Sequence, residues 1–199
     1  MSYSETATRQ PAGGRGARER ILWAAGVLFY QQGINSTGIE ELTTVAHVSK
    51  RTFYQHFGSK DELIQAYLRR WGADWGPTGE GVLDRDDLTP RERLLGLFDQ
   101  PTGVAVMRGC PFHNAAVELA DPDSPARELV LEHKRSVTAR IVEVAREAGV
   151  ADPPRLGRQL AVLFDGARAL ATSTNDFAPF RDARDAAEVL LNSAAPPTL

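Results

Sequence analysis

Cysteine is nearly absent from this sequence: Cys110 is the only one among 199 residues, so no disulfide can form within the chain. Long apolar runs are absent as well, because no stretch of about 18 apolar residues occurs. The N-terminal residues lack the apolar segment of a secretory signal. These absences predict a cytoplasmic protein without a membrane-spanning helix. With 42% hydrophobic and 25% charged residues, the composition is that of an ordinary globular protein with a sizeable core.

The formal net charge of −3 is unevenly distributed along the chain. Residues 1–60 hold seven Lys or Arg and four Asp or Glu, whereas the remaining residues hold 16 basic and 22 acidic side chains. A small basic head on an acidic body is expected if only the head approaches nucleic-acid phosphates. A chance distribution of a few charges is the alternative.

Apolar spacing predicts that the first helix begins at about residue 17 and ends at Gly33. Residues 35–48 then predict a short helix with Ile39 and Leu42 facing inward. At about eight residues, that helix is too short to be stable alone and must pack on its neighbours. The polar residues that precede the first helix predict a disordered arm over residues 1–16.

The segment "SKRTFYQHF", residues 49–57, predicts a second short helix with one apolar and one polar face. Ser49 can cap this helix through its hydroxyl group. Phe53 and Phe57 fall on one face and are expected to lie in the core, while polar side chains surround the rest. Two short helices joined around "AHVS" form a helix-turn-helix, which places its second helix in the DNA major groove. Ser59 can cap a longer helix that follows.

The segment "GIEELTTVAHVSKRTFYQHFGSKDELIQAYL" resembles the DNA-binding domain of the tetracycline-repressor (TetR) family of bacterial transcription regulators. The family motif reads as an alanine-rich helix, Gly-Val-Ser, a basic pair, Tyr-x-x-Phe and Ser-Lys-Glu, and the resemblance covers about residues 17–68. His47 departs from the motif, because the family usually has glycine there, and it is expected to adopt a positive φ. The resemblance implies an all-α fold, with three helices in the head and about six in a ligand-binding and dimerisation domain.

The polar face of the second short helix and its flanks are the expected DNA contacts. Side chains on that face can reach base edges, and side chains beside it can reach phosphates. The resemblance further implies a homodimer on a pseudo-palindromic double-stranded DNA operator. The residues expected at base edges are Lys50, Arg51, Thr52, Gln55 and His56, and those expected at phosphates are Thr37, Thr44, Tyr54 and Lys60.

Helical spacing continues after the head and supports the division that the resemblance implies. We expect a helix-turn-helix domain over residues 17–62 and a helical effector-binding and dimerisation domain over residues 63–195. The last two helices, about 154–192, are the predicted dimer interface, because small residues there allow close helix approach. Packing inside one subunit is the alternative for these small residues, which are Gly157, Ala161, Gly166, Ala167 and Ala171.

The segment "RGCPFHNAAVELADPDSPAR", residues 108–127, carries the clearest indication of an effector site. Regulators that resemble this chain often have a similar Gly-Cys-x-Phe-x-Asn-Ala-Ala-x-Glu stretch in the effector domain. Polar groups among apolar ones at helical spacing suit a small-molecule pocket. Bracing of neighbouring helices by the polar groups is the alternative. The predicted ligand-binding residues, which indicate a largely apolar effector, are Trp71, Trp75, Phe98, Met107, Cys110, Phe112, His113, Asn114, Glu118 and Phe164.

Cys110 and His113 leave a different class of function open. A C-x-x-H pair could be half of a metal site, part of a redox sensor or an enzyme nucleophile with its base. The sequence offers no further ligands beside it, no Ser/His/Asp arrangement and no Gly-rich phosphate loop, and His133 is far along the chain. We therefore expect a regulator with no catalytic residues, metal or cofactor, and we keep metal or redox sensing as the alternative.

The helix from Lys60 to about Trp75 is the predicted mechanical link between effector and DNA. It begins at a phosphate-contacting end and carries Tyr67, Trp71 and Trp75 on one side. An effector releases DNA only if it binds the other conformation better. Static packing of these rings is the alternative.

Overall fold

A computed structural model describes residues 16–74, 79–100 and 108–194 of the chain. Within these ranges the protein forms nine α-helices, one 3₁₀ helix and no strand, which confirms the predicted all-α fold. The helices are α1 Ala17–Gln32, α2 Ile39–Val45, α3 Lys50–His56, α4 Lys60–Asp74, the 3₁₀ helix Glu80–Asp84, α5 Pro90–Gly96, α6 Pro111–Glu118, α7 Pro125–Glu147, α8 Pro153–Thr174 and α9 Ala178–Ser193.

The chain divides into two compact units. The first contains Met1–Trp75 and Pro111–Leu131, and the second contains Gly76–Cys110 and Glu132–Leu199. The predicted division at residues 62 and 63 follows the sequence motif, whereas the first compact unit also includes α4, α6 and the beginning of α7. Apart from Gly16, the predicted arm lies outside the described residues.

Helix α1 is the centre of the helical head in the first unit, where it contacts α2, α3 and α4. Phe29 of α1 is 2% exposed, and its ring meets Tyr67 of α4 edge-on with centroids 5.4 Å apart. Helices α2 and α3 have seven residues each, too few for stability in isolation. Burial of Leu42 and Phe53, both 0% exposed, therefore holds them in place.

The turn between α2 and α3 has the geometry that the sequence predicts. The Ser49 hydroxyl oxygen accepts the backbone N–H of Thr52 at 3.0 Å and caps α3. His47 has φ +50°, in the left-handed region where the family motif usually has glycine. Arg20 of α1 donates from Nε to the backbone oxygen of Ala46 at 3.0 Å, which anchors the C-terminal end of α2.

The core of the second unit brings together apolar residues from α5, α7, α8 and α9. Leu94, Ile141 and Leu160 are each 0% exposed. The rings of Phe98 and Phe164 pack edge to face with centroids 6.1 Å apart. These side chains are far apart in the sequence, and the packing of the helices brings them together in one core.

Part of the predicted dimer surface lies inside one chain. A Cβ atom on Gly157 would lie 2.4 Å from Cγ2 of Val142, so this glycine allows α8 to approach α7. Ala167 and Ala171 are 3% and 0% exposed and belong to the same core. Gly166 differs, because it is exposed and nothing lies within 4 Å of the Cβ position. The prediction of an interface role is therefore wrong for the buried residues and remains a prediction for the exposed face of α8.

Candidate nucleic-acid interface and buried polar cluster

Helix α3 presents one polar face to solvent, which we call the recognition face. Thr52 beside it is half-buried, and its hydroxyl lies 2.8 Å from that of Ser49. The recognition face therefore retains five exposed side chains whose donors and acceptors point away from the core. These are Lys50, Arg51, Tyr54, Gln55 and His56.

The opposite face of α3 is apolar and anchors the helix, as predicted. Phe53 is 0% and Phe57 3% exposed, with ring centroids 6.1 Å apart. The guanidinium carbon of Arg18 lies 5.2 Å from the centroid of the Phe57 ring. Since α3 is held from one side, its other side has the amphipathic geometry with which a helix enters the major groove.

Thr37 is buried, although the sequence analysis predicted that it contacts phosphate. It is 0% exposed, and its hydroxyl donates to the backbone oxygen of Gly33 at 2.7 Å. A buried hydroxyl with an internal acceptor is not placed to contact DNA, so this prediction is wrong for the conformation described. Thr44 is exposed, as predicted, although its hydroxyl also donates within the chain, to the backbone oxygen of Glu40 at 2.8 Å.

Lys60 has an internal acceptor of its own. Its Nζ donates to the backbone oxygen of Ile34 at 2.6 Å. Burial lowers the pKa of Lys60, and the carboxylates of Glu118 and Asp61 oppose this effect without cancelling it. An ammonium group has three donors, so a phosphate contact remains available to it. The structure nevertheless gives Lys60 a second role, in holding the loop between α1 and α2.

The predicted ligand-binding residues occur in both compact units. In the first unit, Trp71 is 3% exposed and stacks on Tyr30 with centroids 5.1 Å apart, while Phe112 lies 3.7 Å from the Cβ position of Gly72. In the second unit, Phe98 and Phe164 contact each other in the core. Trp75 and Met107 lie outside the described residues.

The polar residues of α6 differ in their exposure to solvent. His113 is exposed and Asn114 is half-buried. Glu118 accepts the backbone N–H of Asn35 through Oε2 at 2.8 Å, which is the bracing contact that the sequence left as an alternative to ligand binding.

Cys110 lies in a buried polar cluster of the second unit. It is 2% exposed and hydrogen-bonded to His133, whereas His113, the other residue of the C-x-x-H alternative, is solvent-exposed. Nζ of Lys134 lies 4.0 Å from the Cys110 sulfur and 2.5 Å from Oδ1 of Asp165. The conformation described therefore does not favour the alternative in which Cys110 and His113 act as a pair, because His113 lies at the surface and Cys110 is buried.

A buried ion pair forms the other side of this polar cluster. Oε1 of Glu80 lies 3.0 Å from Arg168, and Oε2 lies 3.6 Å from Nε2 of His133. The exposed fractions are 6% for Glu80 and 4% for Arg168. The guanidinium carbon of Arg168 also lies 4.8 Å from the centroid of the Phe164 ring. Each charge thus has a compensating neighbour, as burial of charges requires.

Proton affinities in the cluster reflect competition between burial and partners. Burial alone would raise the pKa of Glu80, but hydrogen bonding to His133 and the charge of Arg168 outweigh it and lower that pKa. Burial alone would lower the pKa of His133, but hydrogen bonds to Cys110 and Glu80 and their charges raise it. The pKa of Arg168 is raised, because the charges of Cys110 and Glu80 outweigh its burial.

The sequence analysis did not predict Glu80, His133, Lys134 or Arg168 as site residues. One signal was available: Arg168 follows Phe164 at i, i+4 on the apolar stripe of α8, where an unpaired charge would be costly. No sequence pattern marks Glu80, since it follows a Gly- and Pro-rich stretch. A cavity of about 10 Å³, the room for about one water molecule, adjoins Glu80 and His133.

The described ranges contain no group of three or more His, Cys, Asp or Glu side chains that could hold a metal ion. None of the helices in the described ranges is long and apolar enough to cross a membrane.

The N-terminal helices match a known protein family. Residues 21–67 match the family described as bacterial regulatory proteins, tetR family. A TetR-family transcriptional regulator from Streptomyces coelicolor is 31% identical, with a TM-score of 0.80, and the match covers 98% of this chain and 97% of that one. A tetR-type regulator from Streptomyces avermitilis is 34% identical, with a TM-score of 0.72, and the match covers 87% of this chain and 99% of that one.

Curated relatives include transcriptional repressors. The NemR repressor of Escherichia coli K12 is 26% identical over 178 residues, which cover 83% of this chain and 89% of NemR. The DhaR repressor of a Mycobacterium strain is 26% identical, and the chain spans only 52% of its length. The match to an HTH-type regulator of Lactococcus lactis likewise spans 60% of that protein.

Proposed function

This chain belongs to the tetR family of bacterial regulatory proteins, and we propose that it binds a pseudo-palindromic DNA operator as a homodimer and is released by a small, largely apolar effector. The observation that carries the proposal is the recognition face of α3, exposed on one side and anchored by Phe53 and Phe57 on the other. The names of NemR and DhaR as repressors support negative regulation. Binding to chromosomal DNA also supports a cytoplasmic location.

Selection of bound sequences from random duplex DNA tests the operator. A two-fold dimer of helix-turn-helix proteins places its recognition helices about 34–36 Å apart, so the enriched sequences should be inverted repeats with half-sites about 10 base pairs apart. Enrichment of a sequence without two-fold symmetry would contradict the dimeric mode of binding.

The exposed face of α8 and α9, here called the apolar outer face, supports the homodimer. Val162, Gly166 and Leu170 recur every four residues along α8, and Val162 and Leu170 are 73% and 58% exposed. Val189 of α9 is 66% exposed and lines a groove of about 660 Å³ together with Val162. Contiguous exposed apolar residues mark interaction sites. A second copy of the same face is the occupant we propose, because the family relationship predicts dimerisation there.

Val162→Glu tests this interface, with Val117→Glu as a matched control. The two valines are 73% and 71% exposed, and Val117 lies on α6, which belongs to the other compact unit. Val162→Glu should convert a dimer to a monomer in analytical ultracentrifugation and abolish tight operator binding, because each copy would then lose an apolar contact and place a carboxylate there that must be desolvated. Val117→Glu should remain dimeric. A Val162→Glu variant that remains dimeric and keeps normal operator affinity would show that the apolar outer face is not the dimer interface.

An organic effector is testable directly on the purified protein. Native mass spectrometry should detect a retained compound, and re-addition of that compound should weaken operator binding by about 5- to 150-fold, the usual range of allosteric coupling. A retained compound that leaves operator affinity unchanged would contradict its role as effector.

The polar cluster around Cys110 supports a second candidate, a thiol-reactive effector. Cations near a sulfur favour its thiolate, which is the reactive form; Nζ of Lys134 lies 4.0 Å from the Cys110 sulfur, and His133 is hydrogen-bonded to it. Because Cys110 is the only cysteine, alkylation by iodoacetamide reports on it alone. Lys134→Met should lower the rate at pH 7, because it removes the cation whose Nζ lies 4.0 Å from the sulfur. An alkylation rate that is unchanged in Lys134→Met would identify Cys110 as a structural residue.

Recognition of DNA and effector, without chemical turnover, is the activity we infer. The relatives compared above are transcriptional regulators.

A further inference from the structure

Glu118 is bonded twice to a single residue of the helix-turn-helix head. It is the last residue of α6, 83 positions from Asn35 in the sequence. Its Oε2 accepts the backbone N–H of Asn35 at 2.8 Å, and its backbone oxygen accepts the Asn35 side-chain amide, also at 2.8 Å. Arg127 holds the same end of α6 by donating to the backbone oxygens of Ala116 and Leu119, both at 2.9 Å. Glu118 therefore contacts the head from an anchored position.

The loop that Glu118 contacts, residues 33–38, joins α1 to α2. Gly33 opens it with φ +98°, and a Cβ atom there would lie 3.0 Å from Oε2 of Glu118. A side chain at position 33 would thus be strained and would also occupy the space of the carboxylate. The buried Thr37 hydroxyl and the Lys60 ammonium bond the loop from within, to Gly33 and Ile34 respectively. Glu118 supplies the contact from outside the helix-turn-helix.

The loop determines where α2 begins. Ile39 is the first residue of α2, and the N-cap residue Gly38 provides no side-chain cap. A seven-residue helix without a cap depends on what holds its two ends. Arg20 holds the C-terminal end, through Ala46, and the 33–38 loop holds the N-terminal end. Because α2 packs against α3, displacement of the loop would change the presentation of the recognition face.

We propose that Glu118 is a positioning residue for DNA binding, which keeps the 33–38 loop, and through it α2 and α3, in the orientation that reads DNA. Glu118 lies beyond residues 21–67, the part of the chain that matches the family's DNA-binding region. The proposal rests on DNA binding by the helix-turn-helix and is independent of the identity of the effector. It replaces the expectation from sequence that Glu118 contacts a ligand.

Three variants of the full chain test this role. Glu118→Ala removes the acceptor, Glu118→Gln keeps an acceptor oxygen and removes the charge, and Glu128→Ala removes an exposed carboxylate from the same compact unit. Operator affinity is measured on the duplex that the wild-type chain selects from random DNA, with the active fraction titrated at high DNA concentration. Hydrogen exchange of residues 33–38 is measured on the same samples without DNA.

Glu118→Ala should lose about tenfold in operator affinity, the effect of losing one hydrogen bond to a charged acceptor, and should exchange faster over residues 33–38. Glu118→Gln should lose less than Glu118→Ala, because it keeps an acceptor oxygen but not the charge, and Glu128→Ala should stay within about threefold of wild type in affinity. If Glu118→Ala fails to fold, Asn35→Ala removes only the side-chain half of the contact and should cause a smaller loss in the same direction.

Wild-type affinity in Glu118→Ala would overturn the proposal even if its exchange were faster, because the contact would then only brace the loop. Equal losses in Glu118→Ala and Glu118→Gln would also overturn it, since the acceptor geometry would not matter. If the wild-type chain enriches no DNA sequence, both this role and the proposed operator binding are overturned. If the wild-type chain binds and Glu118→Ala binds equally well, only this role is overturned.

Discussion

Removing the Glu80 carboxylate should destabilise the second compact unit strongly. Glu80 and Arg168 are 6% and 4% exposed, and their charged groups lie 3.0 Å apart. In Glu80→Ala the guanidinium stays buried on the Phe164 ring but loses this carboxylate. Loss of one partner of a buried pair costs about 3–5 kcal/mol, mainly through desolvation of the charge that remains.

The expected change is large relative to the stability of a typical protein, which is about 5–15 kcal/mol. For a chain of this size each kcal/mol lowers Tm by about 2–4 °C, so Glu80→Ala should lower Tm by roughly 6–20 °C. The double variant Glu80→Ala/Arg168→Met should be much less destabilised than the sum of Glu80→Ala and Arg168→Met, because no unpaired charge is left buried. The coupling between the two sites should therefore be strongly favourable in a double-mutant cycle.

Thermal and urea unfolding at pH 7 measure these differences, with Asp87→Ala as the control. Asp87 pairs with Arg85, and their side chains are 62% and 55% exposed, so its removal should leave Tm nearly unchanged. The reasoning is refuted if Glu80→Ala lowers Tm by less than about 2 °C. It is equally refuted if the double variant is as unstable as the sum of its single variants.

Four further outcomes follow from named contacts. Gln55→Ala should relax sequence preference and cost about 1–3 kcal/mol of discrimination if Gln55 makes a bidentate base contact, as competition with mutated operators would measure. His47→Gly should raise Tm, because φ +50° costs a non-glycine residue about 1 kcal/mol. Thr89→Ala should lose about 1 kcal/mol in urea unfolding, since Thr89 forms a capping box at the start of α5. The pKa of His133 is raised above 6.5, so its contribution to stability is complete below pH 6.5 and is lost as pH rises through the folded-state pKa. The pKa of Glu80 is lowered below 4.5, so its contribution to stability is complete above pH 4.5 and is lost as pH falls through the folded-state pKa. The free energy of unfolding of the wild type should therefore fall as pH rises above 6.5. His133→Gln should show a smaller fall when unfolding is measured from pH 6 to 9.

The helix-turn-helix was predictable because its determinants are local. The Ser49 cap, the positive φ of His47 and the buried pair Phe53 and Phe57 each depend on residues within a few positions of one another. Burial, which a local pattern does not show, changed the assignment of Thr37. Thr37 reads as a surface threonine, but its hydroxyl is buried against the loop.

The candidate site in the second unit was much less predictable. The sequence suggested Cys110 and His113 as an alternative pair because the two residues are close along the chain, yet His133 is the residue that meets Cys110. Glu80 and Arg168 are 88 positions apart, and neither position carries a local pattern that names its partner. A charge on an apolar stripe indicates that a partner must exist, but only the packing of the 3₁₀ helix against α8 identifies it.

By itself, the sequence determined the all-α class, the helix-turn-helix and the polar face of α3, because helical periodicity, capping and turn chemistry act over a few residues. Only the tertiary structure decided which small residues of α8 are core, which groups surround Cys110, and that Glu118 bonds the loop of the head. Those contacts join residues tens of positions apart. Their geometry depends on how whole helices pack, since a side chain's partner is selected by position in space and not by spacing along the chain.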